Sequence, residues 1–243
     1  RKLITYPRTD SRYLSNDLVE QVTTGWNMLR KCGFEELTQD PFDSKKALKD
    51  RRVFDNSRVS DHHAIIPTGE KIDWDTLGRD DQKIMDLICK RFLSVFYPEA
   101  IWAQRRIKTE VNKENFISKS KVLVEPGWRK VYGKEAGSEE TEFLPEVEVG
   151  TMVTTEKVWV EEKETKAPPR YTEASLLSAM EGAGKFVEDE ELQEIMKESG
   201  LGTPATRAAI IERLIEVGYL EREEKTLIPS PKGIELINLI ESI

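Results

Sequence analysis

The run IWAQRRIKTEV, residues 101–111, lies where the residue pattern of the chain changes. Its period-two alternation and β-branched residues are typical of a half-exposed strand. FISKSKVLVE (116–125), GWRKVYG (127–133) and TMVTTEKVWVEEKET (151–165) continue the pattern, up to a charged linker before Ala167-Pro168-Pro169. The sequence therefore predicts a β-rich domain over residues 99–166.

Residues 1–98, before this domain, have a helical period. Ser15 is a suitable N-cap for a first helix with one apolar face, formed by Leu18, Val19, Val22, Trp26 and Leu29. A second helix is predicted with Ile84, Leu87, Ile88, Phe92 and Val95 on one face. Between the two helices, residues 38–60 are polar and predict a long surface excursion.

The helical period returns in residues 167–243. Thr172 is the predicted N-cap of the first helix of this region. Residues 203–229 then predict a helix ending at Gly218 and a two-stranded hairpin, and residues 230–243 begin one more helix. The expected fold class is a mixed α and β multidomain protein with domains at 1–98, 99–166 and 167–243.

Composition excludes several classes of protein. There is no apolar run of about 18 residues and no apolar signal region at the N-terminus, so neither a membrane span nor secretion is expected. We expect a cytoplasmic protein. Cys32 and Cys89 have no CxxC or CxxH spacing, which predicts buried thiols rather than a zinc site or a disulfide framework.

The net charge of -8 is unevenly distributed. Residues 138–164 carry nine acidic residues against two lysines, whereas residues 101–135 carry nine Lys or Arg against four Glu. A locally basic surface that binds nucleic acid is therefore compatible with the acidic average.

The segment ITYPRTDSRYL, residues 4–14, combines a tyrosine and an arginine two residues apart, Tyr6 and Arg8. A phenol is a weak nucleophile at neutral pH, but a guanidinium favours its ionised form and matches the geometry of a phosphate. This pair suits attack on a phosphodiester. The same spacing also occurs where strands pack, and Asp10 and Ser11 could equally form a turn.

Two other segments are candidates for chemistry. SDHHAIIPT contains His62 and His63, the only histidines; one could contact a phosphate or move a proton, or both could lie in a solvated turn. In SGLGTPATRAAI, Thr203 is the expected N-cap and Pro204 the first helical residue, with Thr206 and Arg207 in the first turn. The helix start predicts an anion site, or a capped helix without a ligand.

Together these segments resemble the type IA DNA topoisomerases, most closely the topoisomerase III branch. The resemblance rests on LITYPRTDSRYLS, DHHAIIPT and the long segment from APPRYTEASLLSAME to SGLGTPATRAAIIERLIEVGYLER, in this order. It covers nearly the whole chain.

The resemblance implies roles for individual residues. Tyr6 would be the nucleophile that forms a 5′-phosphotyrosyl link, Arg8 would hold the scissile phosphate, and His62 would assist near it. The implied DNA-binding residues are Asp10, Arg12, His63, Thr203, Thr206 and Arg207. The implied domains are a helical, winged-helix-like catalytic domain (1–98, partial), a β-rich arch (99–166) and a helical DNA-binding domain (167–243, partial).

The resemblance further implies a bacterial enzyme, associated with chromosome or plasmid, that cleaves and religates one DNA strand without ATP. Its partner would be single-stranded DNA, and we expect a monomer. The family's Toprim domain, which binds Mg2+, has no match here, so we expect an excised fragment with no metal site of its own. The alternatives are a non-catalytic winged-helix module over residues 204–230 and a rolling-circle nickase, which the missing His-x-His pattern disfavours.

Overall fold

The structure, a computed structural model, describes residues 2–59, 61–133 and 144–242. The chain divides into two compact units, residues 1–156 (unit 1) and 157–243 (unit 2). Lys134 and the first six residues of the acidic stretch 138–164 lie outside the described residues. The division into three domains stays a prediction. Among the helices of the described ranges, none is long and apolar enough to cross a membrane.

The described part of unit 1 contains three α-helices and one hairpin: α1 (Val19–Leu29), α2 (Ser44–Ala47), α3 (Arg79–Ser94), β1 (Ile101–Val111) and β2 (Glu114–Glu125). Short 3-10 helices cover Asn16–Leu18, Glu35–Leu37, Asn56–Arg58, Trp74–Thr76 and Gly127–Tyr132. The described part of unit 2 contains α4 (Glu173–Glu181), α5 (Glu190–Ser199), α6 (Arg207–Glu216), β3 (Leu220–Glu223), β4 (Thr226–Pro229) and α7 (Pro231–Glu241), with a 3-10 turn at Ala183–Phe186.

The predicted face of α1 is confirmed. Val22, Trp26 and Leu29 are buried in the core of unit 1, because their spacing places them on one side of the helix. The first turn before α1 is a 3-10 helix, and Ser15 is its N-cap by backbone position without a side-chain hydrogen bond.

The predicted face of α3 is wrong in part. Ile84 and Leu87 are 58% and 60% exposed, whereas Met85, Cys89 and Leu93 are buried together with Phe92. The helix has apolar residues on two overlapping faces, and periodicity alone does not say which of them meets the core.

Residues 38–60 are more than a surface excursion. Val53 and Phe54 are buried in the core, and the side chain of Thr38 is fully buried with its hydroxyl donating to the Phe34 carbonyl at 2.8 Å. Phe54 also forms a parallel bridge with Leu14. This segment therefore holds the N-terminal segment against the core.

β1 and β2 pair as an antiparallel hairpin in a regular register from Trp102↔Leu123 to Val111↔Glu114. The other two predicted strands are wrong. GWRKVYG forms the 3-10 helix Gly127–Tyr132, which buries Val131 in the core of unit 1. Gly127 has φ +49°, and a Cβ there would lie 2.3 Å from the Glu99 carbonyl oxygen, so the turn requires glycine. Residues 151–165 form no strand.

Unit 2 has the helix, hairpin and helix that the sequence predicts. Thr172 caps α4, since its hydroxyl accepts from the amide of Ser175. Met180 of α4, Ile211 of α6 and Leu227 of β4 form a small core. Ser230 caps α7 in the same way as Thr172 caps α4.

Candidate functional site

The segment that carries Tyr6 is held against residues 64–68. The Thr5 amide donates to the Ile66 carbonyl at 2.9 Å, and the Ile66 amide donates back to the Thr5 hydroxyl oxygen at 3.0 Å. Thr68 adds a bond from its amide to the Leu3 carbonyl at 3.1 Å. These bonds bring two of the predicted motifs side by side, since 64–68 follows the two histidines directly.

Tyr6 and His62 meet at this junction. Their ring centroids are 4.5 Å apart and their planes are inclined by 41°. The Thr9 hydroxyl donates to the His62 carbonyl at 3.2 Å, which ties the same two segments together beyond the ring contact. Tyr6 is 51% exposed, so about half of the residue remains open to solvent beside this ring contact.

The charged residues that follow Tyr6 are on the surface. Arg8, Asp10 and Arg12 are all exposed. No hydrogen bond or ion pair ties Arg8 or Asp10 to another residue within the described ranges, whereas Arg12 does have a contact. The guanidinium of Arg8 is therefore open to an anion near Tyr6 in the chain.

The environment of the His63 side chain differs from that of His62. It is half-buried, and its Nδ1 donates to the Ala64 carbonyl at 2.8 Å. Only Nε2 is then left for another partner. The two adjacent histidines therefore differ in role: His62 packs on Tyr6, and His63 braces its own turn.

Sequence reasoning missed Arg58. Its Nη1 donates to the Tyr13 hydroxyl at 2.6 Å, and its guanidinium carbon lies 5.1 Å from the Tyr13 ring centroid. The Ser11 hydroxyl donates to the Arg58 carbonyl at 3.0 Å. The signal in the sequence was the row of hydroxyl residues Thr5, Thr9 and Ser11, each of which bonds to the later segment.

Asp55 anchors the turn that carries Arg58. Its carboxylate accepts from the amide and the hydroxyl of Ser57, at 3.1 and 2.6 Å, and lies 3.8 Å from Nε of Arg58. The hydrogen bond from the Ser57 side chain lowers the pKa of Asp55, so the carboxylate stays charged beside the arginine.

The predicted N-cap at the start of α6 is wrong. Thr206, not Thr203, is the N-cap by position, and its hydroxyl bonds back to the Thr203 carbonyl at 3.2 Å instead of capping the helix. Pro204 accordingly lies in a turn before the helix. Thr203 and Thr206 are exposed, but Arg207 is 9% exposed and its Nε donates to the Leu201 carbonyl at 3.3 Å. Arg207 thus has a structural contact, and its DNA-binding role stays a prediction.

The two cysteines are buried free thiols, as predicted. In the part of the chain that the structure describes, no group of three His, Cys, Asp or Glu could hold a metal ion.

Comparison with known proteins assigns the family. A family model described as DNA topoisomerase matches residues 1–243. The chain therefore belongs to the DNA topoisomerase family.

The relatives narrow the assignment to a branch of that family. The chain is 37% identical to DNA topoisomerase 3 of Bacillus cereus over 252 residues, covering 98% of this chain and 34% of the relative. It is 35% identical to DNA topoisomerase 3 of Vibrio cholerae over 243 residues, covering 99% of this chain and 37% of the relative. The protein is topoisomerase III-like, as its motifs predicted, and spans about a third of the length of these relatives.

A solved structure agrees on the fold. Full-length topoisomerase I from Thermotoga maritima matches with a TM-score of 0.58 and 24% identity, over 100% of this chain and 35% of that one. The mixed α and β fold is therefore that of part of a topoisomerase.

Proposed function

We propose that this chain carries the nucleophile of an enzyme that cuts and reseals one strand of DNA. The Tyr6 oxygen attacks a backbone phosphorus, so that a Tyr6–phosphate bond forms at the 5′ end of the break. The bond from phosphorus to the 3′ oxygen breaks, and that oxygen leaves as a hydroxyl. The reverse reaction reseals the strand, and since the bond energy is kept in the phosphotyrosine, no ATP is needed.

The observation that carries this proposal is the contact between Tyr6 and His62. Tyr6 is 51% exposed although its ring has a neighbour 4.5 Å away, so the side chain is both held and accessible. The imidazole restricts the orientation of the ring and leaves the phenol open to a strand. Orientation of a nucleophile before attack is a large part of catalysis.

Arg8 and His62 act on the phosphate in this proposal. The exposed guanidinium of Arg8 would hold two phosphate oxygens and stabilise the charge of the pentavalent transition state. His62 would donate a hydrogen bond to the same phosphate. Asp10, Arg12, His63, Thr203, Thr206 and Arg207 remain proposed contacts to single-stranded DNA.

The finer domain description belongs to the same proposal. Residues 1–98 would form a winged-helix-like catalytic domain, 99–166 the arch that opens to pass a second strand, and 167–243 a helical DNA-binding domain. We propose a monomer that acts in the bacterial cytoplasm on chromosomal or plasmid DNA.

The Mg2+ that the resemblance implies would bind to a Toprim domain, which has no match in this sequence. Within the described ranges no group of three His, Cys, Asp or Glu side chains could hold a metal ion. The 243-residue chain alone should therefore bind single-stranded DNA weakly and form no covalent adduct. Robust adduct formation on a labelled oligonucleotide with Mg2+, seen on a denaturing gel, would refute this.

Substitution of the nucleophile tests the proposal directly. In a protein that carries this chain together with a Toprim domain, Tyr6→Phe should abolish the covalent adduct and leave DNA binding intact. The control Tyr13→Phe also removes a phenolic hydroxyl, from another tyrosine of segment 4–14, and should retain cleavage. Unchanged cleavage by Tyr6→Phe would rule out Tyr6 as the nucleophile; this chain would then be a DNA-binding module in a protein whose nucleophile lies elsewhere, a reading that membership of the family does not favour.

A further inference from the structure

The β1–β2 hairpin has two chemically different faces. Side chains of paired residues in an antiparallel ladder point to the same side, and alternate residues point to opposite sides. The register therefore places the pairs Gln104↔Lys121, Arg106↔Lys119 and Lys108↔Ile117 on one face. We call the side chains of Arg106, Lys108 and Lys119 the basic face.

Part of the opposite face, around Arg105 and Ser120, is covered by a later segment of the chain. Arg105 donates to the Leu144 carbonyl and lies 3.3 Å from a carboxylate oxygen of Glu146. The Leu144 amide donates to the Ser120 hydroxyl at 3.4 Å, and Ser120 is buried. The arginine on this face therefore has an acidic partner and a backbone acceptor.

The basic face lacks such partners within the described ranges. Arg106, Lys108 and Lys119 are all exposed, and no ion pair there joins any of them to an acidic side chain. Glu110, near the tip, is the acid that the register places on the same face. The positive charge of the hairpin is thus concentrated on its open side.

Arg106 and Lys119 are directly opposite each other across the ladder. Like charges at facing positions of an antiparallel pair are destabilising. Lys108 is two residues from Arg106 on the same strand, so their Cα atoms are roughly 7 Å apart. Together with Lys119, they place three cations on one surface. A bound polyanion would turn this repulsion into attraction.

The base of the basic face is held by an aromatic contact. Lys121 Nζ lies 4.0 Å from the Trp102 ring centroid, and the Arg129 guanidinium carbon lies 5.0 Å from the same ring. Arg129 belongs to the 3-10 helix that packs Val131 into the core of unit 1. The hairpin is therefore linked to a segment that packs into the core of its unit, at the end from which the basic face extends.

We propose that the basic face binds the phosphodiester backbone of a DNA strand, without regard to base sequence, as a contact surface additional to the Tyr6 site. This inference rests on the proposed function only for the identity of the polyanion, DNA. Three adjacent cations on the open face of a two-stranded surface suit a chain of negatively charged phosphates. Contacts of this kind position a strand and carry no sequence information.

Binding of a labelled oligo-dT to the 243-residue chain, followed by fluorescence anisotropy over a series of salt concentrations, tests the inference. The slope of log K against log salt is negative, and each lost phosphate contact on a single strand should reduce its magnitude by about 0.7. Arg106→Gln combined with Lys119→Gln should therefore reduce this magnitude by about 1.4 and weaken binding at low salt. The charge-preserving pair Arg106→Lys and Lys119→Arg should keep the wild-type slope.

The matched control is Lys45→Gln combined with Lys46→Gln, which removes the same charge from exposed residues of α2. An equal loss of slope in this control, or no loss in the hairpin variant, would overturn the inference. Lys108→Gln, which faces Ile117 and leaves the Arg106–Lys119 pair intact, is the second variant. The magnitude of the salt slope of this variant should decrease by about 0.7. Lys108→Gln tests the inference if the double variant does not fold.

Two further measurements distinguish DNA binding by the basic face from a structural role of the two cations and from binding of an acidic protein. Since the double variant removes a repulsion, its melting temperature should equal or exceed that of wild type; a marked fall with an unchanged slope would assign the pair a structural role and overturn the proposal. Binding of poly-glutamate but not of oligo-dT would identify an acidic protein as the partner and overturn it too. The anisotropy assay measures binding without a covalent adduct, so failure of this inference is distinct from failure of the Tyr6 reaction.

Discussion

The ring of Tyr6 lies against the imidazole of His62, with centroids 4.5 Å apart, although the whole of α1 separates the two residues in the chain. Backbone bonds between residues 3–5 and 66–68 bring them together. Tyr6 remains 51% exposed, and Arg8, two residues further along the chain, is exposed as well. Because His62 contacts Tyr6 and His63 instead bonds to the Ala64 carbonyl, substitutions of the two adjacent histidines should have different effects on the reaction.

His62→Gln should slow covalent adduct formation about 100-fold or more in a protein that also carries a Toprim domain, since loss of one hydrogen-bond donor to the transition-state charge costs roughly 10²–10³ in rate. His63→Gln should have a much smaller effect, because the Nδ1 of His63 is engaged by the Ala64 carbonyl. Single-turnover rates with a labelled oligonucleotide measure both. Equal losses in the two variants would contradict the assignment of His62 to the reaction.

Thr5→Val should destabilise unit 1 by about 1–3 kcal/mol, because the variant keeps the shape of Thr5 and leaves the buried Ile66 amide without the hydroxyl acceptor. A urea titration followed by tryptophan fluorescence measures the change. Thr24→Val is the control: its hydroxyl bonds only to the Glu20 carbonyl within an exposed helical turn. A cost in the control as large as that of Thr5→Val would contradict this account.

Cys89 should be unreactive toward a thiol reagent such as DTNB in the folded protein. Burial raises its pKa to about 12, and its side chain is fully inaccessible. Since the thiolate is the reacting form, both access and ionisation oppose reaction at neutral pH. Cys32 is also buried, so both thiols should titrate only after unfolding in urea. Rapid reaction of the native protein would show that the core of unit 1 opens readily.

The free energy of unfolding should decrease at acidic pH, in part because Asp50 and Asp55 become protonated. Hydrogen bonds from Arg52 and Ser57 lower the pKa of these carboxyls below 3.8. A carboxyl with a lowered pKa in the folded state stabilises the fold above its unfolded pKa, and this contribution is lost as the pH falls through the folded value. The urea midpoint of Asp50→Asn and Asp55→Asn should therefore vary less with pH in this acidic range.

The control for the acid prediction is Asp17→Asn. It removes the same charge from an exposed position where the described residues provide no side-chain hydrogen bond. If Asp17→Asn flattened the pH profile as much as the other two variants, general charge repulsion would explain the decline instead.

Local patterns determined much of the secondary structure. The caps at Thr172 and Ser230, the hairpin β3–β4 and the buried face of α1 follow from residue type and spacing over a few positions. A cap or a turn is satisfied by neighbouring backbone groups, so its physics is contained in the sequence nearby.

Patterns that need a distant partner were less informative. Residues 151–165 alternate as a strand does, yet they form none, because a strand exists only where a neighbouring strand accepts its hydrogen bonds. The apolar residues of α3 are compatible with either of two buried faces. In the folded protein the face with Met85 and Cys89 packs against the core. Arg58 was missed because its contact with Tyr13 joins separate segments.

The sequence by itself determined the family and the residue types of the candidate site, since ordered motifs identify both. Only the tertiary structure decided that Tyr6 packs on His62, that His63 does not, and that Arg207 is buried. It also decided that the cations of one hairpin face remain open. The physical reason is that these relationships depend on long-range backbone bonds and burial, which pairs of residues far apart in the chain create only when it folds.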